Sequence, residues 1–243
     1  MDIVYKTLGL PAELLSKVPG IGPIVKACCT SVGQKILMAI TGLSLVGFLV
    51  VHLGGNFNLF AGEAAFNGYA EKLHSLGPLL AIAETKLFAI FALHLGLALS
   101  TRAMSAQARK SSYEKTESKQ SGFLIPNGGA ANMMFITGII LGGYVVLHVL
   151  DMKINIWKFD AGESKYALVR MVLRDPLHWG VYLVALIALG IHLSHGISSA
   201  FQTLGISHPR WNKIVRFLSV ALAWLIAGGF MSLLVWAYAF EAR

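Results

Sequence analysis

Apolar residues gather into five long runs along the chain, separated by polar stretches. The runs cover about 32–53, 78–101, 130–150, 176–203 and 214–238. Each is about the length a helix needs to cross the roughly 30 Å hydrocarbon core of a bilayer. Open strands cannot satisfy their backbone in lipid, so the runs are expected to be helices. Their ends carry matching signals. Asp175-Pro176 has the form of an N-cap followed by proline at the first helical position. Gly77-Pro78 punctuates the start of the second run, and Gly128-Gly129 precedes the third. Trp179, Trp211 and Trp236 fall near run ends, where interfacial anchors concentrate. No internal repeat or low-complexity tract stands out. The fold expected is an all-α membrane protein, one domain over 1–243, with five transmembrane helices in a bundle.

The flanks add detail. The first run begins only near residue 32 and exceeds the about 7–15 apolar residues of a signal peptide. Residues 1–31, with Pro11, Pro19, Gly20, Gly22 and Pro23, read as a short surface helix and a turn on the inner membrane face. The 105–121 loop is polar throughout. Composition agrees: 56% of the 243 residues are hydrophobic and 13% are charged, where a soluble domain has about 25% charged. Cys28 and Cys29 are the only cysteines. They leave no spacing for an iron–sulfur cluster or covalently attached haem.

The net charge of +8 is read as a topology signal, with no nucleic-acid partner. With the N-terminus inside, twelve Lys and Arg lie on the inner side: Lys6, Lys17, Lys26, Lys35, Arg102, Arg109, Lys110, Lys115, Lys119, Arg210, Lys213 and Arg216. The other eight lie outside. A cytoplasmic N-terminus in a bacterial inner membrane follows as the expectation.

On that topology four histidines stand out, one in each of the first four runs: His52, His94, His148 and His192. Imidazoles inside an apolar helix are expensive and mark functional sites. His52 and His148 end outward-running helices, so they share an outer level. His94 is 16 residues after Pro78 and His192 is 16 after Pro176. At 1.5 Å per residue both lie roughly 24 Å below the outer start. Two pairs at two levels are what two stacked b-type haems require, with imidazoles from facing helices on opposite faces of each iron. The metal ligands expected are therefore His52 with His148, and His94 with His192. Ala188 and Gly196, Ala98, and Gly55 are small same-face neighbours beside which a macrocycle could lie. His195, three residues after His192, is a rival ligand or a donor to a propionate or quinone. A solvated surface role is expected for His74, His178 and His208.

The stretches TGLSLVGFLVVH (41–52), FALHLGLALSTR (91–102), GGYVVLHVLDM (142–152) and, most specifically, HLSHGISSAFQTLG (192–205) resemble one family. It is the cytochrome b558 subunit of succinate dehydrogenase and fumarate reductase, the single-chain, two-haem type. The resemblance runs from about Gly33 to the C-terminus. It implies a distal haem on His52 and His148 and a proximal haem on His94 and His192, with no ligand from the fifth helix. Arg102 and Lys35 would neutralise propionates at the inner face. The implied partners are a flavoprotein subunit with FAD, an iron–sulfur subunit, membrane lipid, and quinone (menaquinone or ubiquinone) as substrate. Electron transport in the respiratory chain and the tricarboxylic acid cycle would be the context, with the dicarboxylate chemistry on another subunit. The inner basic segments, 1–31 and 102–121, would be the docking surface. A quinone site is implied near the distal haem, where Glu63, Glu71, Glu84 and His74 are the outer-side candidates for handling protons.

Two other readings share the intramembrane histidines. One is a di-haem cytochrome b anchoring a hydrogenase or formate dehydrogenase. The other is a small cation transporter. Continuous helices and two separate histidine levels weigh against the transporter, which would favour repeats and broken helices at one depth.

Overall fold

The computed structural model describes residues 30–107, 129–160 and 164–239, with Lys17, Lys26, Cys28 and Gly162 in addition. The inner-face segment 1–31 and the inner loop past Gln107 thus fall almost wholly outside the described residues. The rest is helical, with no strand among the described residues. The helices are α1 (Ser31–Asn56), α2 (Glu63–His74), α3 (Pro78–Gln107), α4 (Gly129–Val149), α5 (Lys165–Arg174), α6 (Pro176–Thr203) and α7 (Pro209–Ala239). A 3-10 turn, Phe57–Ala61, extends α1, and a π-helical turn, Leu150–Ile154, extends α4. Five of these helices are long and apolar enough to cross a membrane: α1, α3, α4, α6 and α7. The chain is an all-α, multi-pass membrane protein.

The spans follow the apolar runs, but three end differently. α1 continues to Asn56, α3 continues to Gln107, and α7 starts at Pro209 rather than near 214. Proline at the first turn needs no N–H partner, which suits the earlier start. The short helices α2 and α5 occupy what hydropathy alone left as connections. Caps explain several boundaries. Thr30 Oγ1 accepts from Gly33 N at 3.0 Å, and Ser164 Oγ accepts from Ala167 N at 3.2 Å. Asp175 Oδ1 accepts from Leu177 N at 3.1 Å and His178 N at 3.0 Å, with Pro176 next in the chain.

α6 is the centre of the molecule. It carries ten buried residues, against two on α3. Its outer half packs with α5 and α7 through Leu173, Tyr182, Leu186 and Leu234. Its inner half packs with α7 through Leu193, Ile197, Ala223 and Ile226, with Val46 and Leu49 of α1 against them. α1 lies along both α3 and α6, and α4 lies along α6. α3 and α4 close the circuit but barely touch. Their bridges are polar and sit at the two ends: Lys153 pairs with Glu84 where α1 finishes, called the outer end, and Arg102 Nη1 donates to Asn132 Oδ1 at 2.9 Å where α1 begins, called the inner end. The circuit is thus α3–α1–α6–α4, and its diagonals are α1/α4 and α3/α6.

Candidate functional site

The two expected histidine pairs fall on those two diagonals. At the inner level, His94 of α3 reaches α1, with Nδ1 3.0 Å from Thr41 Oγ1. His192 of α6 reaches α4 in the same way, with Nδ1 3.1 Å from Thr137 Oγ1. Each threonine spends its single hydroxyl proton on its own helix, Thr41 on the Leu37 carbonyl and Thr137 on the Met133 carbonyl. The oxygen that faces each histidine can therefore only accept. Nδ1 must carry the ring proton, and Nε2 keeps a free lone pair. That is the tautomer a metal-bound imidazole needs, with its other nitrogen held by a neighbour. The ring contacts are close because a glycine follows each threonine. A Cβ on Gly42 would lie 3.2 Å from His94 Cε1, and one on Gly138 would lie 3.6 Å from His192 Cε1.

These matching contacts expose a repeat that the hydropathy pattern hides. Ile40-Thr41-Gly42 leads to His52 just as Ile136-Thr137-Gly138 leads to His148, with eleven residues from threonine to histidine in both. The α1–α3 pair is thus echoed by α4–α6. Eleven residues of helix rise about 16 Å. The threonines place His94 and His192 on one level, that far below His52 and His148.

At the outer level the two histidines meet directly. The rings of His52 and His148 are 5.9 Å apart, centre to centre, and edge-on. Phe48 stacks on His52 at 5.1 Å and Phe230 tilts against it at 5.7 Å. Tyr144 and Tyr182 pack on His148. His148 Nδ1 lies 3.3 Å from the Tyr182 hydroxyl, which donates its proton to Asp151 Oδ2 at 2.9 Å. The Tyr182 oxygen is left to accept, so Nδ1 of His148 also bears the proton. His52 has only the Asn56 amide, 3.4 Å from Nδ1 and 3.5 Å from Nε2.

The donor set suits a group that brings ligands of its own. Among the described residues no three His, Cys, Asp or Glu gather as a bare metal ion would require. The histidines come in facing pairs instead, which suits an iron already held by a macrocycle. A second observation fits at the inner end. Gln34 is fully buried, two turns before Thr41 on α1. Its Oε1 accepts from Ser100 Oγ at 3.0 Å, while its Nε2 has no partner among the described residues. Such an orphaned donor is costly in an apolar interior, and a haem propionate would satisfy it. Arg102, whose guanidinium lies 5.2 Å from the Phe135 ring centre, is on the same side. Lys35 is exposed.

Other sequence candidates land differently. Glu63 accepts from Ser164 Oγ at 2.6 Å and so ties α2 to α5. Glu84 is taken up by Lys153. Glu71 and His74 are exposed on α2. Of the small neighbours, Gly55 is covered by the Tyr69 ring and Gly196 lies against Met134. His208 is exposed as expected, its Nδ1 accepting from Arg210 N. His195 is half-buried and its ring makes no hydrogen bond among the described residues. His178 corrects its expectation of solvation. It is 7% exposed, with Nε2 3.4 Å from Asp151 Oδ1 and Nδ1 2.7 Å from Asp175 Oδ1. Bonds from the His178 backbone N–H, then from its ring, hold the Asp175 carboxyl below its ordinary range. The residues passed over were Asp151 and Tyr182. Asp151 stands three residues after His148, at the end of an apolar run. A carboxylate so close to a candidate ligand is the signal that could have marked it. No family model, characterised protein or solved structure matches the chain.

Proposed function

We propose that this chain is the membrane anchor and di-haem cytochrome b subunit of a succinate:quinone oxidoreductase. The observation that carries the reading is the pairing of four intramembrane histidines on the two bundle diagonals, three of them with Nδ1 tied to a hydroxyl on a neighbouring helix. His94 and His192 hold the inner position, and His52 and His148 the outer one. Thr41, Thr137 and Tyr182 fix the ring orientations and keep Nε2 available. Gln34 and Arg102 receive carboxylates at the inner end. Bound there, two b-type haems would carry electrons between membrane quinone and an iron–sulfur subunit. The dicarboxylate chemistry belongs to a flavoprotein with FAD, since neither a dinucleotide fingerprint nor a cysteine cluster is present in this sequence. The orientation proposed puts the N-terminus in the cytoplasm of a bacterial cell, with the inner level towards the partner subunits.

A reduced-minus-oxidised spectrum of the purified protein tests the haem reading. Two b-type haems per chain are expected by pyridine haemochrome titration, and absence of b-type bands overturns it. Copurification tests the partners: a flavoprotein and an iron–sulfur protein should accompany the chain, and succinate should reduce quinone. A hydrogenase or formate dehydrogenase in their place would retain the cytochrome and reject the enzyme.

A further inference from the structure

Asp151 is the one carboxylate in the core of the described residues, with no exposed surface. It sits in the π-helical turn after His148, a distortion that is frequent at functional sites. Tyr182 Oη donates to its Oδ2 at 2.9 Å, and Trp157 Nε1 donates to its Oδ1 at 2.9 Å. His178 Nε2 lies 3.4 Å from that Oδ1, and Nδ1 of the same ring lies 2.7 Å from Asp175 Oδ1. Asp175 heads α6 with its side chain 36% exposed. Trp157 and Phe159 wall the His178 ring edge-on, each at 5.8 Å. Carboxylate, imidazole and carboxylate therefore connect the buried edge of the outer histidine pair to the surface. A mere clamp needs an acceptor for Tyr182 and Trp157. An imidazole between two carboxylates can also take a proton on one nitrogen and release one from the other.

We propose that Asp151, His178 and Asp175 form the proton route between the His52/His148 level and the outer surface, with Asp151 accepting the proton when quinol is oxidised there. This deepens, and rests on, the function proposed above. Oxidation of one quinol to quinone releases two protons and two electrons, and two b-type haems held by His52 with His148 and His94 with His192 would supply the one-electron acceptors. One proton goes to the Asp151 carboxylate and on to His178 Nε2, while His178 gives its Nδ1 proton to Asp175. Water takes that proton from Asp175, a water-relayed shift of the ring proton from Nε2 back to Nδ1 restores the starting tautomer of His178, and the second proton follows. Tyr182 bridges Asp151 to His148 as a hydrogen-bonding hydroxyl throughout. Titratable groups facing Asp151 are Tyr144 on α4, and Tyr182 and His178 on α6.

The test uses the whole complex carrying Asp151→Asn or His178→Gln, with Asp160→Asn, exposed in the same connection, as control. Haem reduction by a soluble naphthoquinol is followed by rapid mixing, and protonated-carboxyl bands are followed in the redox difference infrared spectrum. Asp151→Asn should keep both haem spectra and succinate-driven reduction of an artificial dye. It should slow quinol-driven haem reduction by about 100-fold, as loss of a general base does, and remove one carboxyl band. His178→Gln should slow the reaction similarly, and Asp160→Asn should do neither. If Asp151→Asn does not assemble, His178→Gln decides alone. Unchanged quinol rates with an unchanged infrared spectrum overturn the route and leave the cytochrome reading standing. Wild-type protein without haem overturns both.

Discussion

The inner and outer levels of the bundle hold the same residue type in different company. At the inner level the two histidines are near-equivalent, each bonded to a threonine whose proton is already committed to its own helix. Among the described residues no carboxylate is hydrogen-bonded to either inner imidazole or to the threonine that holds it. At the outer level the two histidines diverge. His52 lies among Phe48, Phe230 and Asn56, whereas His148 is joined through Tyr182 to a buried carboxylate. On the proposed function, a repeated scaffold has thus been kept symmetric where only an electron would pass. It has been differentiated where, on the proposed function, quinol chemistry couples electrons to protons.

On the proposed function, removing a ligand gives the largest effect and tests the levels separately. His192→Ala should abolish the inner haem and leave the outer one, read as one haem per chain by pyridine haemochrome. His195→Ala should retain both, because its ring lacks the hydroxyl contact that fixes His192. Two haems in purified His192→Ala would move the ligand to His195 and break the equivalence with His94. His148→Ala should remove the outer haem alone.

The spans and the depth of the histidines were legible because hydropathy and helical rise are one-dimensional properties. Pro78 and Pro176 start their helices where the sequence predicted, and counting from them put His94 and His192 on one level. The lateral arrangement was not legible. Which helices become diagonals depends on packing, and only packing showed that Thr41 and Thr137 serve histidines on neighbouring helices. The Thr-Gly repeat was present in the sequence throughout. Two short identities inside apolar runs carry little weight until a contact gives them a job. His178 was misplaced, and Asp151 passed over, because both lie at span ends, where a polar residue is ordinarily solvated. The π-helical turn and the Trp157 and Phe159 rings bury them instead.

The inner symmetry is close but imperfect, and an added methyl group measures the difference. At Gly138 a Cβ would stand 3.6 Å from His192, an ordinary contact, so Gly138→Ala should leave both haems and their potentials unchanged. At Gly42 the distance to His94 is 3.2 Å, and the ring must give way. Thr41 pins that ring from the adjacent position, so the strain has little outlet. Overpacking of this kind costs about 1–3 kcal/mol. Gly42→Ala should lower thermal stability in detergent and shift the inner haem potential. Equal effects at the two glycines would show that the echo between α1–α3 and α4–α6 is closer than the contacts indicate.

The smallest effect is expected at Asp175, where capping and proton release can be separated. As an N-cap its side chain is worth about 1 kcal/mol, so Asp175→Ala should cost about that in thermal unfolding at neutral pH. Asparagine caps nearly as well, so Asp175→Asn should lose little. The pH dependence has a definite sign. Bonds from the His178 backbone and ring depress the folded carboxyl below its ordinary value of 3.8. The stability gained from its charge is therefore present above that value and is lost as pH falls through the lower, folded one. The gap between wild type and Asp175→Ala should narrow only in that acid range. A cap alone would leave Asp175→Asn with wild-type quinol kinetics. The proton route requires it to fold like wild type and yet reduce haem from quinol more slowly, since an amide cannot pass His178's proton to water.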